Sequence, residues 1–244
     1  MDPRPYPLVF EPRVKARVWG GHRLQEEFGR PELEGETPCG ESWEMVDLPG
    51  DASVVTSGEL EGESLSALVR KHPQWLMGDA PLLEGRFPLL LKLLDAGKTL
   101  SVQVHPDQEA AKRLHGRPKT EAWIILETQP GACLYLGLKE GVTPRELREA
   151  CKGESLEGVV HRVEVEPMDV VFIPAGTVHA IGGGLVLAEL QQASDTTYRL
   201  HDWGRMGLDG KPRELHIDQA LESIHFHSPD PPLWRPRKGP GRVV

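Results

Sequence analysis

Thr99-Leu100-Ser101-Val102-Gln103-Val104-His105-Pro106-Asp107 and Val171-Phe172-Ile173-Pro174-Ala175-Gly176-Thr177-Val178-His179-Ala180 are the two stretches on which the fold turns. In the first, the odd positions are polar (Thr99, Ser101, Gln103, His105) and the even positions apolar (Leu100, Val102, Val104). Successive side chains of a strand point to opposite faces, so Ser101, Gln103 and His105 share one face. In the second, a strand stops at a Pro-Ala-Gly turn and resumes with His179 on it. Polar side chains aimed into an apolar interior need partners, because unpaired burial is costly. A metal bound inside a β-barrel is such a partner, and it points to an enzyme.

Around these stretches the pattern is mostly β. Strands are expected at 87–95, 99–105, 121–127, 132–136, 159–165, 169–173, 177–181, 185–191 and 196–201, with shorter ones near Leu8–Phe10 and Trp43–Val46 in the Pro- and Gly-rich first 58 residues. Gly182-Gly183-Gly184 predicts a hairpin. Helices are expected at 63–77, capped by Ser64 and interrupted by Pro73, at 107–115 after Pro106, and at 144–152, where Thr143, Pro144 and Glu146 form a capping pattern. The tail 228–244 is expected to be irregular. With no repeat and no linker, residues 1–244 read as a single domain with these helical insertions. Many short strands with tight turns predict a mainly β fold of the cupin or jelly-roll class, a double-stranded β-helix barrel with a few short peripheral helices.

Composition narrows the function. The 244 residues are 39% hydrophobic and 27% charged, with 28 basic against 37 acidic residues and a net charge of −9. No basic run invites nucleic acid, although a few local cations suffice to hold a phosphorylated small molecule. Met1-Asp2-Pro3-Arg4-Pro5 has no apolar signal core, and the longest apolar cluster, Phe87 to Leu94, is broken by Lys92. A cytoplasmic protein without a membrane partner is expected. Cys39, Cys133 and Cys151 are odd in number and lack ligand spacing, which fits a reducing compartment. Asparagine is absent and Arg outnumbers Lys, a bias that thermophile origin and a GC-rich genome explain equally.

The candidate chemistry is concentrated in few residues. Gln103 and His105 can reach one ion from one strand face, Glu121 opens the next strand, and His179 follows the Pro-Ala-Gly turn. This mixed nitrogen and oxygen set suits zinc and tolerates iron, manganese or cobalt. Each histidine, taken alone, reads more often as a hydrogen-bonded structural residue than as a ligand. Lys92 inside Leu89-Leu90-Leu91-Lys92-Leu93-Leu94 is either a functional buried lysine or an edge lysine that deters aggregation. Lys119 has the strand parity of Glu121, or is a solvated loop lysine after Pro118. Asp195 and Arg199, four apart in a polar segment, form a structural ion pair or face a substrate. His22, His72, His115, His161, His201 and His216 show no ligand pattern, and His225-Phe226-His227 reads as structural.

Taken in order, Trp19-Gly20-Gly21, Gly40-Glu41-Ser42-Trp43-Glu44, Pro88 to Leu94, Ser101 to Asp107, Lys119-Thr120-Glu121, Pro174 to Ala180 and Ser194-Asp195-Thr196-Thr197-Tyr198-Arg199 resemble the type I mannose-6-phosphate isomerases (phosphomannose isomerases), zinc-dependent cupins, in their short bacterial form. The resemblance covers residues 6–225. It implies one Zn²⁺ per chain on Gln103, His105, Glu121 and His179. It also implies catalytic or substrate-contacting roles for Lys119, Asp195 and Arg199, a phosphate end at Lys92 and Ser101, and a cleft wall with Trp19 and Glu41. The implied reaction interconverts mannose 6-phosphate and fructose 6-phosphate by proton transfer between C2 and C1 through an enediol. The base is Lys119, if burial and the metal depress its pKa, or Asp195.

The sequence departs from the family in two places. Pro118 stands where longer members carry a polar aromatic. The short bacterial members usually continue into a further C-terminal β region, so a cleft that is more open, or covered by a second subunit, is expected here, in a monomer or homodimer. Two other readings remain. One is another metal-dependent cupin, a dioxygenase or epimerase, whose clustered histidines have no counterpart near residue 105. The other is a non-catalytic module that binds a sugar phosphate.

Overall fold

The computed structural model describes residues 4–35, 37–153, 156–227 and 232–235. Its strands are β1 (Arg13–Gly21), β2 (Cys39–Met45), β3 (Asp47–Leu48), β4 (Asp51–Ala52), β5 (Leu89–Ala96), β6 (Val102–Val104), β7 (Glu121–Thr128), β8 (Cys133–Leu138), β9 (Val160–Glu164), β10 (Val170–Ile173), β11 (His179–Ile181), β12 (Leu185–Gln192), β13 (Tyr198–His201) and β14 (Leu233–Trp234). The helices are α1 (Arg23–Glu26), α2 (Leu65–Lys71), α3 (Pro73–Met77), α4 (Gln108–Arg113), α5 (Pro144–Lys152) and α6 (Ile217–Ser223).

Two antiparallel sheets form the body. One has seven strands in the order β1-β2-β5-β12-β7-β10-β14, the other five in the order β13-β6-β11-β8-β9. The expected cupin architecture is therefore present as two sheets, each hydrogen-bonded within itself. Alternation decides what each face carries. In the five-stranded sheet, Val102, Val104, Tyr135, Val178 and Ala180 pack outward with Leu147 and Ala150 of α5 and Ala220 of α6. Leu134, Leu136 and Ile181 point inward, to meet Leu94, Trp123, Ile125, Val171, Ile173, Leu185 and Leu187 of the larger sheet. The inward positions that are not apolar, Gln103, His105, His179, Lys92, Glu121 and Glu189, lie in the same space between the sheets.

Local chemistry explains the helix boundaries. Ser64 accepts a hydrogen bond from Ala67 N and starts α2, and Pro73 stands in the first turn of α3. Asp107 accepts from Ala110 N at 2.8 Å to start α4. Thr143 and Glu146 close a reciprocal capping box on α5. The three cysteines are buried and free. Of the tail, Leu233 and Trp234 pair with Val171 and Val170, while 228–231 and 236–244 lie outside the described residues.

Three features differ from the sequence reading. β1 runs for nine residues, and Phe10 makes only an isolated bridge to Val55. Its alternation of Arg13, Lys15 and Arg17 with Val14, Ala16 and Val18 is that of a half-exposed strand, masked by the Pro- and Gly-rich surroundings. The short α6 carries too few apolar positions to show a helical period. Gly182-Gly183-Gly184 is not a hairpin, because β11 and β12 belong to different sheets. Here the chain crosses between layers, pressed so close to β8 that a Cβ on Gly182 would lie 2.3 Å from the Cys133 carbonyl oxygen.

That contact is with backbone, which cannot swing aside. Gly182→Ala should destabilise the protein by about 1–3 kcal/mol in urea unfolding. Gly153→Ala, at φ −118 with nothing within 4 Å of its Cβ, should change stability by less than about 0.5 kcal/mol.

Candidate active site

The ligand candidates come from both sheets. β6 lies between β13 and β11, and Gln103 is in register with His179 on one side and Arg199 on the other. Glu121 enters from the opposite sheet, where β7 places it beside Gln191 and Ile173. The ligating atoms of His105, Glu121 and His179 all lie within 4.8 Å of one another. His105 Nδ1 is 2.9 Å from the Thr196 carbonyl and His179 Nδ1 is 2.9 Å from the Thr177 carbonyl. A carbonyl can only accept, so each Nδ1 carries the proton and each Nε2 presents a lone pair. The two Nε2 atoms face Glu121 at 3.4 and 3.3 Å.

Glu121 is 2% exposed, and neither carboxylate oxygen accepts a hydrogen bond of good geometry. A buried orphan carboxylate between two imidazole lone pairs is the donor set of a divalent metal whose histidines are oriented by backbone carbonyls. Burial, together with the nearby Lys119 charge, pushes the His105 imidazole down to about 3, and burial lowers His179 too, so both are in the neutral ligating form. Burial alone would raise the Glu121 carboxyl, but Lys119 outweighs it and holds the group well below the usual carboxylate range. Gln103 Nε2 is 3.3 Å from His179 Nε2. Turned about its last bond, this amide offers its oxygen to the same centre. The four residues fit a metal.

A cleft of ≈ 610 Å³ opens above this centre, with Gln103 and Lys119 at its base and Trp19, Glu41, Lys92, Ser101, Asp195 and Arg199 in its walls. Lys92 is 8% exposed and faces inward, opposite Glu189 in register, with Nζ 3.1 Å from its carboxylate. It is not an edge lysine. Lys119 is equally buried, with Nζ 2.9 Å from Glu121 and 3.2 Å from His105 Nε2. It is not a solvated loop lysine. Burial by itself would lower the Lys119 ammonium, but Glu121, Glu189 and Glu41 outweigh burial and raise it. The protein's own charges therefore favour the protonated lysine, and the depression expected of a lysine base rests on the charge of the metal.

Among the described residues no ion pair joins Asp195 to Arg199. Arg199 donates from a terminal nitrogen to the Glu214 carbonyl at 2.8 Å, and its Nε is buried with no partner. Glu41 is gripped by Arg17 through two hydrogen bonds of 2.9 Å and receives Trp43 Nε1 at 2.7 Å. Burial would raise its carboxyl, but Lys92 and Arg17 prevail and hold it at about 2. Trp19 reaches the cleft because the backbone beside it is tightly packed: a Cβ on Gly20 would lie 2.5 Å from Gly40 N. His225 stays outside the centre, bonded to Asp107 at 2.8 Å.

The cleft also holds Arg17, Trp43, Glu189 and Arg213, which the sequence reading did not assign. Glu189 carried a usable signal, since it stands in an apolar strand as Lys92 does. Arg17 had none while β1 was unrecognised, and Arg213 lies on a loop, where no period applies.

The profile of the phosphomannose isomerase type I catalytic domain matches residues 8–123. Mannose-6-phosphate isomerase ManA of Bacillus subtilis is 42% identical over 226 residues, which are 91% of this chain and 69% of that protein. The crystal structure of mannose 6-phosphate isomerase from Bacillus subtilis superposes with a TM-score of 0.84 at 33% identity, over 92% of this chain and 70% of that one. A zinc-bound mannose 6-phosphate isomerase structure, 18% identical, shares the fold over 90% of this chain and 74% of its own, with a TM-score of 0.64. With identity at this level spanning both the ligand strands and the cleft walls, the chain belongs to the type I phosphomannose isomerase family.

Proposed function

We propose that this protein is a metal-dependent aldose–ketose isomerase that interconverts mannose 6-phosphate and fructose 6-phosphate. The observation that carries this reading is the His105–Glu121–His179 centre at the base of a cleft whose walls hold lysine, arginine and carboxylate groups. Family membership supplies the substrate class. The donor set, with two neutral imidazoles, one carboxylate and one amide, favours zinc, one ion per chain. When bound, the metal polarises the substrate's carbonyl and hydroxyl oxygens.

The protein's own residues take the remaining roles. Lys92 and Ser101 hold the phosphate end, while Trp19 and Glu41 flank the sugar. Arg199, with an unspent Nε donor, balances negative charge that develops on the reacting oxygens. Lys119 keeps its proton at Nζ and acts as a proton donor to those oxygens. Asp195, exposed in the cleft wall, takes the proton from C2 of the aldose to give the enediol and returns it to C1 to give the ketose, while Lys119 gives a proton to O1 and recovers one from O2. Among the described residues no helix is long and apolar enough to cross a membrane. We place the protein in the cytoplasm, as one domain, acting on a free small molecule.

Elemental analysis should find one divalent metal per chain. Chelation, Gln103→Ala and His179→Ala should each lower metal content and isomerisation together. Metal-loaded protein with no turnover on mannose 6-phosphate would leave a binding module instead. Arg199→Ala should retain the metal and lose about 10²–10³ in kcat.

Glu41 links the cleft to acid stability. Its folded pKa of about 2 lies below the ordinary 4.5, so its contribution is present above pH 4.5 and is lost as pH falls through the folded value. The urea midpoint of the native protein should exceed that of Glu41→Gln by a constant margin near neutrality. The margin should shrink from pH 4.5 downward, by up to on the order of 3 kcal/mol. A margin that does not depend on pH would remove the charge as its source.

A further inference from the structure

The two histidine ligands stand where the sheet ladder ends. β6 stops at Val104 and β11 begins at His179, so His105 and the turn 174–178 lie beyond the regular strand pairing. His225, two residues past α6, closes a ring of bonds around them. Its backbone N donates to the Gly176 carbonyl at 3.0 Å, and Gly176 N donates to the His105 carbonyl at 2.8 Å. His105 is joined through Pro106 to Asp107. Asp107 Oδ2 completes the ring, 2.8 Å from His225 Nε2. A carboxylate only accepts, so Nε2 is the donor. The other oxygen of Asp107 accepts from Ala110 N at 2.8 Å, so the first turn of α4 fixes the carboxylate that fixes the imidazole. The turn itself has no room to shift toward His225. Gly176 has φ +84, and a Cβ there would lie 2.6 Å from the His225 ring. Thr177, the next residue, supplies the carbonyl that orients His179. The turn therefore touches both ligands, and His225 braces it from the side away from them.

We propose that His225 is a positioning residue for the metal centre. It holds the His105–Asp107 segment against the turn 174–178 and so sets the separation of the two imidazoles. The inference rests on the metal centre and not on the reaction performed there. His225 and Asp107 are a partly exposed pair, with side chains 44% and 35% accessible, and such pairs add little to global stability. The effect is on geometry. Metal–ligand distances are specified to within about 0.2 Å, so slack in either segment is felt at the ion. Groups placed behind the ligands change metal affinity by about 10- to 100-fold.

Zinc affinity of the full chain tests this, measured at one fixed pH by competition with a chromophoric chelator. The visible spectrum of the Co²⁺-loaded protein is the second readout, because it reports ligand geometry. His225→Ala should weaken zinc by about tenfold and shift the cobalt bands. His225→Gln, whose amide nitrogen can still donate to Asp107, should recover most of both. Asp218→Ala removes another exposed ion pair of the same region, one that joins α6 to Arg148 of α5 rather than to the turn, and should leave both readouts at the native value. Unchanged affinity and spectrum in folded His225→Ala overturn the proposal. So does an equal loss in the alanine and glutamine variants, or an equal loss in Asp218→Ala, which would mark general loosening. Native protein that binds no metal overturns the centre and the brace with it. Neither readout needs turnover, so a failure of the isomerase reading leaves both intact.

Discussion

A buried carboxylate held between one lysine and two imidazoles organises this molecule. Glu121 sits between the two sheets with both oxygens orphaned, a state that costs several kcal/mol unless positive charge is brought to it. The protein supplies Lys119 at 2.9 Å and two imidazole lone pairs at 3.3 and 3.4 Å. Lys119 lies 3.2 Å from the His105 lone pair and the Gln103 amide 3.3 Å from that of His179, yet both lone pairs still face a negative group. A divalent cation satisfies the carboxylate and both histidines together, which is why metal binding and the integrity of the core are one problem here.

The surroundings follow from that constraint. Each histidine is held by a backbone carbonyl on its far nitrogen, so the rings cannot turn away. Lys92 and Glu189 neutralise each other on the same inner sheet face, and Glu41 is secured by Arg17 and Trp43. The interior is therefore polar at one end and apolar at the other, where Trp123, Ile125, Leu134 and Leu187 meet. The outer side of the larger sheet also carries apolar side chains, with Leu190, Ile124 and Phe172 exposed there.

Much of this was legible from strand parity. Ser101, Gln103 and His105 on one face, and Lys92 alone in a leucine run, are places where a polar residue breaks an apolar pattern, and all of them face the inter-sheet space. The caps Ser64 and Thr143 act within a few residues, so sequence suffices for them. Parity could not say which sheet a strand joins. Gly182-Gly183-Gly184 looks like a hairpin and is a crossing between layers, because the contact that forbids a side chain there is made with Cys133, some fifty residues away in the chain. Sequence could not rank Lys119 against Asp195 as the base, because Glu41, Glu121 and Glu189, which surround Lys119, come from three different strands.

The sequence by itself determined the β class, the ligand types and the family, because alternation and short motifs are local properties of the chain. Only the tertiary structure decided that Asp195 and Arg199 form no ion pair, that Lys92 is matched by Glu189, and that Arg17 and Arg213 join the cleft. Each of these depends on which strands lie side by side and which layer each loop enters. That is settled by long-range packing between residues whose separation along the chain carries no signal of their distance in space.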